Sequence, residues 1–295
     1  MKRYSTLQRI KAQSKESPKN LKNPPRKSSP SRRPSSVNTK GGLLFQKTLD
    51  TYLKTKKPKN KIVVYTAITN DYDRLMLHSQ LSPNFDYVVF SNTPQNSYGV
   101  YAIRKFPYEN HNPVKTIRYV KTHPHILFPG YETSIWIDAN IIIRGDLNKH
   151  IVRMQQARKV LAAIPHPHRK CTYEEGKACI ELEKDKESRI EPQMEKYKKE
   201  GFPSGYGLVE TGFLIANLKS LELQNLFNIW WKEIEAHSHR DQLSVMYALK
   251  KAKLSPHLLM KHPQSVRDHL DFVYYQHGKK SAYDFDALKR LKVKK

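Results

Sequence analysis

Cysteine is scarce in this chain: only Cys171 and Cys179 occur among its 295 residues. Two thiols cannot form the disulfide framework of a small secreted fold, and by themselves they make a poor zinc site. Apolar runs are short as well. None approaches the roughly 20 residues of a membrane span, and no secretory h-region of roughly 7–15 apolar residues is present. We therefore expect a cytoplasmic protein in a reducing compartment, in contact with a membrane only peripherally.

Several glycine motifs of common enzyme classes are also missing. The sequence contains no G-x-x-x-x-G-K-[ST], no G-x-G-x-x-G and no G-x-S-x-G. These motifs cradle nucleotide phosphates or present a nucleophilic serine. Their absence argues against P-loop NTPases, dinucleotide-dependent dehydrogenases and hydrolases with a nucleophile elbow.

Acidic residues are nearly absent from residues 1–60, which hold 17 basic and only 2 acidic residues together with 6 prolines and 8 serines. This segment carries +15 of the formal charge of +26. With almost no apolar periodicity it cannot offset its ordering entropy, and we predict a disordered basic arm. The arm could be simply solvated, could contact anionic lipid or nucleic acid unspecifically, or could be a targeting segment. Residues 281–295 form a second, short basic tail.

From residue 61 onward, apolar strand-like runs alternate with helical patterns. The run "KIVVYTAIT" is typical of a first buried strand, and "HNPVKTIRYVKTHPHILF" opens a helix with Asn112 as N-cap and Pro113 at its first position. Such alternation predicts an α/β domain over residues 61–280, with a mostly parallel central sheet flanked by helices. The highly charged stretch 171–200 is helical in pattern and is predicted to be a solvated excursion.

Polar residues follow three of the predicted strands, at Thr69–Asp73, Ser91–Asn92 and Asp138–Asn140. Open parallel sheets bind ligands beyond the carboxyl ends of their strands. These three positions therefore predict a binding site at one edge of the sheet.

Asp138 and Asn140 lie two apart within the apolar run "SIWIDANIII". On an extended strand both side chains would point to the same side, where they could hold a cation and the diphosphate that it bridges. Mg²⁺ and Mn²⁺ favour such oxygen ligands. The alternative is that both residues only shape a turn.

Further charged residues have the chemistry to accompany such a site. Arg118 and Lys121 share one helix face and suit phosphate oxygens, although a solvated helix face explains them equally well. Asp241 and Gln242 begin an apolar helix, where Asp241 is either a helix-start acid or, with Gln242, a ligand of a sugar. Glu210 enters an apolar strand just before a glycine, which favours a functional role.

Late in the chain, His277-Gly278-Lys279 interrupts a strand-like run and could supply a metal ligand and a phosphate-binding lysine. The other histidines lack convincing ligand spacing and are interpreted as polar loop residues. No internal repeat is visible.

Five segments occur in this order along the chain: "VVYTAITNDYDRL", "YVVFSN", "NPVKTIRYVKTHPHILFPGYETSIWIDANIIIRGDL", "GLVETGFLIANL" and "SHRDQLSVMYAL". Over roughly residues 61–250 these segments resemble the glycosyltransferase-like family named after plant TOD- and mucilage-type proteins. The resemblance implies a GT-A-like nucleotide-diphospho-sugar transferase fold. Arg118 and Lys121 match the family's Arg-x-x-Lys helix, and Arg240-Asp241-Gln242 its R-D-Q element. Trp136–Asn140 matches its D-x-D-like element, which would hold Mn²⁺ or Mg²⁺ and the diphosphate.

The resemblance also implies that the first strand and the loop after it hold the nucleotide. The residues implied are Thr66, Thr69, Asp71, Tyr72 and Asp73. The late His277 and Lys279 are similar to the His/Gly/Lys segment of glycogenin-like retaining enzymes, although their spacing differs.

These features together favour a glycosyltransferase that moves a sugar from a nucleoside diphosphate donor, a UDP-sugar by expectation, to a glycan or other hydroxyl acceptor. Asp241, Gln242 and Glu210 would orient the donor sugar or handle the acceptor proton. The competing hypothesis is a non-catalytic protein that binds polyanions or nucleic acid through its arm on a decayed transferase core. As partners we expect the nucleotide-sugar, the acceptor and an anionic membrane surface, and we do not expect nucleic acid.

Overall fold

The computed structural model describes residues 39–57, 59–70, 75, 78–92 and 100–275, with side chains from residue 47 onward. All of them belong to one unit of the chain, residues 36–295. The helices in this part are α1 Thr39–Thr55, α2 Pro113–Thr122, α3 Pro124–Leu127, α4 Asn148–Gln156, α5 Thr172–Glu181, α6 Glu187–Lys199, α7 Leu221–Ala236 and α8 Gln242–Lys251. The strands are β1 Ile62–Ile68, β2 Phe85–Ser91, β3 Ala102–Arg104, β4 Thr133–Ile137, β5 Ile141–Ile143, β6 Leu161–Pro165, β7 Val209–Asn217, β8 His257–Leu258 and β9 Phe272–Tyr274.

Seven of these strands form the central sheet in the order β3-β2-β1-β4-β7-β6-β8. All neighbours in it are parallel except β7, which runs antiparallel to β4 and to β6. The predicted α/β class with a mostly parallel, helix-flanked sheet is therefore confirmed. The carboxyl ends of β1, β2, β4 and β6 and the start of β7 meet at one side of the sheet, which we call the carboxyl edge.

Strand β1 is buried on both faces, as its continuous apolar sequence requires. Val63 and Tyr65 pack into the cluster under α2, α7 and α8. Val64 and Ile68 pack into the opposite cluster, which includes residues of α1, α4 and β5. The core thus consists of two apolar layers with the sheet between them.

Helix α2 begins where the sequence predicts. The Asn112 side chain accepts a hydrogen bond from the backbone N–H of Val114 at 3.0 Å, and Pro113 occupies the first helical position. This cap satisfies one of the free N–H groups at the helix start. The cap fixes where the helix begins and therefore which of its residues face the protein interior. Lys121 is one of them and is 1% exposed.

The run "SIWIDANIII" is divided into two strands that belong to different sheets, and the prediction of one continuous strand is wrong. Strand β4 ends at Ile137, and the N–H of Ile141 donates to the carbonyl of Asp138 at 3.0 Å, which closes a tight turn. Strand β5 then leaves the central sheet and pairs antiparallel with β9. Asp and Asn favour turns because their side chains compete with the backbone for hydrogen bonds.

Helix α1 contradicts part of the predicted disordered arm. Leu49 is 1% and Tyr52 3% exposed, and the Tyr52 hydroxyl donates to the carbonyl of Phe85 at 2.9 Å. The prediction of disorder up to residue 60 is therefore wrong for this helix, because a few apolar side chains at helical spacing outweigh its basic composition. Residues 1–38 and the predicted tail 281–295 lie outside the described residues.

The charged stretch 171–200 forms helices α5 and α6, as predicted, but it is not merely solvated. Ile190, Met194 and Tyr197 on α6 are buried in the core, so one face of α6 packs onto the domain. Among the described residues, no helix combines the length and the apolar character that crossing a membrane requires.

We expect the substitution Tyr52→Ala to lower the free energy of unfolding by about 3 kcal/mol or more, because it leaves a cavity and unpairs the Phe85 carbonyl. The neighbouring change Leu53→Ala is the matched control. Leu53 is 43% exposed, and its truncation should change stability by no more than about 0.5 kcal/mol. Urea denaturation measures both. Equal losses would contradict the packing of α1 described here.

Candidate active site

Lys121 lies at the centre of a buried charge network behind the carboxyl edge. Its Nζ donates to Asp241 Oδ2 at 2.6 Å and to the carbonyl of Thr211 at 2.9 Å. Asp138 Oδ1 lies 3.6 Å away, and the ring of Trp136 lies under the ammonium at 4.9 Å. The three donors of a lysine ammonium are thus directed at protein groups. Direct binding of phosphate by Lys121, as predicted, is not supported. The side chain instead organises its neighbours.

Asp241 is 1% exposed and is held from three sides. Besides Lys121, the Thr211 hydroxyl donates to its Oδ2 at 2.8 Å, and Arg118 Nε lies 3.3 Å from its Oδ1. Burial alone would raise the pKa of this carboxyl, but Arg118 and Lys121 hold it well below its usual range.

Asp241 does not act as the predicted helix-start acid, since its side chain makes no capping hydrogen bond in α8. It also cannot exchange protons with an acceptor while it is buried and paired with cations. The burial and the lowered pKa do not favour a role for Asp241 in handling the acceptor proton, and that role stays a prediction.

Asp138 links the buried network to the surface. Its Oδ1 accepts a hydrogen bond from Trp136 Nε1 at 2.8 Å, and 35% of its side chain is exposed. The other oxygen, Oδ2, faces Gly212 across the edge. A Cβ at Gly212 would come within 3.1 Å of this oxygen, so only glycine leaves the space in front of the carboxylate free. The carboxylate is thus fixed through one oxygen, while the side chain as a whole stays partly exposed.

The loops after β1 and β2 meet at this edge, as the sequence predicts. The backbone N–H of Asn70 donates to Asn92 Oδ1 at 3.0 Å, and Asn92 Nδ2 donates to Asn70 Oδ1 at 2.8 Å. Asn70 adopts a left-handed φ of 52°, a conformation that asparagine tolerates better than most residues. Thr69 lies at the same edge and is 4% exposed.

Thr66, by contrast, lies inside β1 and is 0% exposed. A contact between its fully buried side chain and a nucleotide is therefore not supported. Asp71, Tyr72 and Asp73 lie outside the described residues, so their predicted nucleotide contacts stay predictions.

Glu210 lies at the start of β7 and faces the same edge. Its Oε1 accepts a hydrogen bond from Arg267 Nη1 at 2.7 Å, and its side chain is 14% exposed. Burial raises the pKa of Glu210; Arg267 counteracts this effect, and the negative charge of Asp138 adds to it. Glu210 and Asp138 therefore form two neighbouring carboxylates with different surroundings. No local sequence pattern points to Arg267.

Asn140 does not lie beside Asp138 as a second metal ligand on an extended strand. It is 4% exposed, and its Nδ2 donates to the carbonyl of Tyr275 at 2.7 Å, while the N–H of Tyr275 donates to the Asn140 carbonyl at 2.9 Å. The turn between β4 and β5 rotates this side chain toward β9. The predicted metal role of Asn140 is thus not supported. The residue fastens the C-terminal segment, residues 262–275.

Arg118 and Gln242 lie at the margin of the network. The Arg118 side chain is 13% exposed, and its buried Nε lies 3.3 Å from Asp241 Oδ1. Gln242 is half-buried at the first position of α8, where its Oε1 accepts a hydrogen bond from Arg240 Nη2 at 3.3 Å. His277 and Lys279 lie outside the described residues.

One other cluster has metal-ligand chemistry: His150, His269 and Asp271, whose candidate ligand atoms lie within 4.8 Å of one another. Asp271 accepts hydrogen bonds from His150 Nε2 at 2.6 Å and from Lys149 Nζ at 2.7 Å. The N–H of Asp271 donates to His269 Nδ1 at 3.2 Å. Through these hydrogen bonds the cluster attaches the C-terminal segment to α4, while Nδ1 of His150 is buried without a hydrogen-bond partner.

With this geometry established, we compared the chain with known proteins. A family model described as the TOD1/MUCI70 glycosyltransferase-like domain matches residues 95–275, which is more than half of the chain. The chain belongs to this family. The match begins and ends later than the resemblance over residues 61–250 predicts, and it includes the C-terminal segment with Arg267. Family membership identifies the chain as a glycosyltransferase-like protein.

Two solved structures share a general likeness with this TOD1/MUCI70-family chain. One is the WbbM bifunctional glycosyltransferase, 14% identical, with a TM-score of 0.41 over 69% of this chain and 39% of that chain. The other is mouse xyloside xylosyltransferase 1, 9% identical, with a TM-score of 0.38 over 68% of this chain and 84% of that chain. This chain therefore spans about two fifths of the length of WbbM. No curated protein matches its sequence.

The depressed pKa of Asp241 predicts how stability depends on pH. Because its folded pKa lies below the unfolded value, the ionised carboxylate stabilises the fold above the usual aspartate range, and this stabilisation is lost as the pH falls through the folded pKa. At pH 7, Asp241→Asn should lower the free energy of unfolding by about 3–5 kcal/mol, since it leaves Lys121 buried without its counter-charge.

Urea denaturation of wild type and Asp241→Asn at pH 7 and pH 3 checks this expectation. The difference between the two proteins should shrink at pH 3, and the exposed change Glu181→Gln should show no comparable difference at either pH. A difference that is the same at both pH values would contradict the ionised network.

Proposed function

We propose that this chain transfers a sugar from a nucleoside diphosphate donor, in the first instance a UDP-sugar, to a hydroxyl group of a glycan or another acceptor. The observation that carries this proposal is the Asp138 carboxylate at the carboxyl edge. One of its oxygens is fixed by Trp136 and Lys121, the side chain is 35% exposed, and the lack of a side chain at Gly212 avoids crowding the other oxygen. Family membership supports the same reaction class.

The donor set suits a magnesium or manganese ion that binds together with a diphosphate. Mg²⁺ commonly uses one or two carboxylates and completes its shell with water and substrate phosphates, so a single fixed carboxylate such as Asp138 is sufficient on the protein side. Asp138 would hold the ion, and the bound ion would offset the charge of the departing diphosphate. His277 remains a predicted further ligand. The cluster of His150, His269 and Asp271 is not part of this proposal.

In the proposed reaction the acceptor oxygen forms a bond to the anomeric carbon of the donor sugar as the bond from that carbon to the diphosphate breaks. Arg118, at the margin of the network, would place positive charge near the departing group. Lys121 remains buried and holds Asp138 and Asp241 in place. Thr69 and the loop after it would bind the nucleotide, with Asp71, Tyr72 and Asp73 as further predicted contacts and Lys279 as a predicted phosphate ligand.

Glu210 is the group we propose to receive the proton of the acceptor hydroxyl. A carboxylate with a raised pKa is a stronger base than an ordinary one, and burial together with the nearby Asp138 raises the pKa of Glu210. Arg267 keeps Glu210 oriented through the 2.7 Å hydrogen bond. Gln242, at the start of α8, would orient the donor sugar.

Thermal-shift measurements with a panel of nucleotide-sugars, with and without Mn²⁺, test donor binding directly. A ligand that binds the native state raises stability, by about 2.7 kcal/mol at a concentration 100 times its Kd. We expect a UDP-sugar to raise the melting temperature only when Mn²⁺ is present. The effect should persist in a chain that lacks residues 1–38. Binding that depends on those residues and extends to any polyanion would instead support the competing hypothesis.

The substitution Asp138→Asn should reduce donor hydrolysis and sugar transfer by about 100-fold or more, because the carboxylate that would hold the ion is neutralised. The exposed change Glu181→Gln removes an acid elsewhere and should leave both rates unchanged. Release of the nucleoside diphosphate measures both variants, and circular dichroism checks their folding. A folded Asp138→Asn variant with the wild-type rate would refute the role given to this residue.

A further inference from the structure

A cavity of about 430 Å³ opens beside the candidate active site, on the side of β6 and β8. Pro165 and His166 at the end of β6 line one wall, and Leu208 and Val209 at the start of β7 line another. Both strand ends belong to the carboxyl edge that carries Asp138. Val209 also directly precedes Glu210 in the chain. A ligand in this cavity therefore lies at the same edge of the sheet as Asp138 and Glu210, although successive side chains of a strand point to opposite faces and Glu210 does not line the cavity.

The walls of the cavity are mainly apolar. No carboxylate or carboxamide side chain is found among its described lining residues, whose polar members are two histidines, a lysine and a serine. Sugar hydroxyls would find few acceptors there, and buried polar groups without partners are unfavourable. An apolar group, in contrast, gains by leaving water. The apolar side chains of the walls are Pro165, Leu208, Val209, Met246, Leu254, Pro256 and Leu258.

Tyr206 forms one wall of the cavity and is 40% exposed. It stands between Gly205 and Gly207, whose φ values of 69° and 100° are accessible mainly to glycine. The ring packs edge-on against Phe202, at 5.4 Å between ring centroids. The contact with Phe202 holds the Tyr206 ring in place although much of it faces solvent. A fixed aromatic ring of this kind can pack against a flat or apolar group of a ligand.

We propose that this cavity binds the apolar part of the acceptor, so that the acceptor is a hydroxyl-bearing molecule with an apolar aglycone. The volume lies within the range of about 300–1,000 Å³ that is typical of small-molecule sites. Binding of the aglycone would direct the adjacent hydroxyl toward Glu210. This inference deepens the proposed function and depends on it for the identity of the reaction.

Calorimetric titration with hexyl, heptyl and octyl β-glucoside, each below its micelle concentration, tests the cavity independently of the donor. Each added methylene group should tighten the Kd by about 3–4-fold, as expected for burial of one CH₂ group. The heat-capacity change of binding should become more negative along the series. Equal Kd values for the three glucosides would overturn the proposal.

Two substitutions locate the binding. Leu258→Asp places a charge on the cavity wall at a side chain that is 49% exposed, so folding should tolerate it. Tyr206→Ala removes the aromatic wall. Both should abolish the dependence of Kd on the length of the alkyl group of the glucoside. The matched control is Leu221→Asp, at an exposed leucine that does not line the cavity. It should leave that dependence intact, and the same loss in the control would contradict binding in this cavity.

Donor binding in the wild-type chain separates the two proposals. If Kd depends on the length of the alkyl group but no nucleotide-sugar gives a thermal shift, the proposed function is refuted and an apolar binding site remains. A nucleotide-sugar shift without dependence on chain length would refute the cavity as the aglycone site and leave the proposed function standing.

Discussion

The buried ion pair between Lys121 and Asp241 is the interaction on which the candidate site depends. It joins α2 to the start of α8, and through the Thr211 carbonyl it joins both to β7. Two ions removed from water are stabilised only if their geometry is good and their remaining hydrogen-bonding groups are satisfied. Thr211 and Arg118 meet that requirement here. The pair therefore fixes three elements relative to one another before any substrate binds.

Asp138 lies next to this buried ion pair. It has Lys121 behind it and Gly212 in front, so the buried charge is coupled to an accessible carboxylate. The C-terminal segment completes the edge, since hydrogen bonds from Asn140 and His150 attach it and bring Arg267 to Glu210. The Asp138 carboxylate thus lies near Lys121, and the Glu210 carboxylate is paired with Arg267.

The site could be predicted from the sequence where its chemistry is local. The polar ends of β1, β2 and β4 predicted that these residues share one edge of the sheet, which they do, and Asp138 stood out as a lone acid in an apolar run. The spacing of Arg118 and Lys121 identified the right helix face but not its burial, because a solvated and a buried lysine look alike in a sequence. Asn140 was misassigned because the turn after β4 changes the direction of its side chain.

Contacts between residues that are far apart in the sequence could not be predicted in this way. Glu210 and Arg267 are 57 positions apart, and nothing in either local sequence points to the other. Helix α1 was missed for a related reason: its burial depends on packing Tyr52 against Phe85 and Tyr87, whereas its own composition is that of a solvated arm.

The most direct measurement of the central claim is a crystal structure of the chain grown with UDP and Mn²⁺, with the metal located by its anomalous scattering. The account predicts a manganese peak next to the Asp138 carboxylate, with the diphosphate at the carboxyl edge of the central sheet. A peak at His150, His269 and Asp271 with none at Asp138, or a nucleotide bound away from this edge, would contradict it.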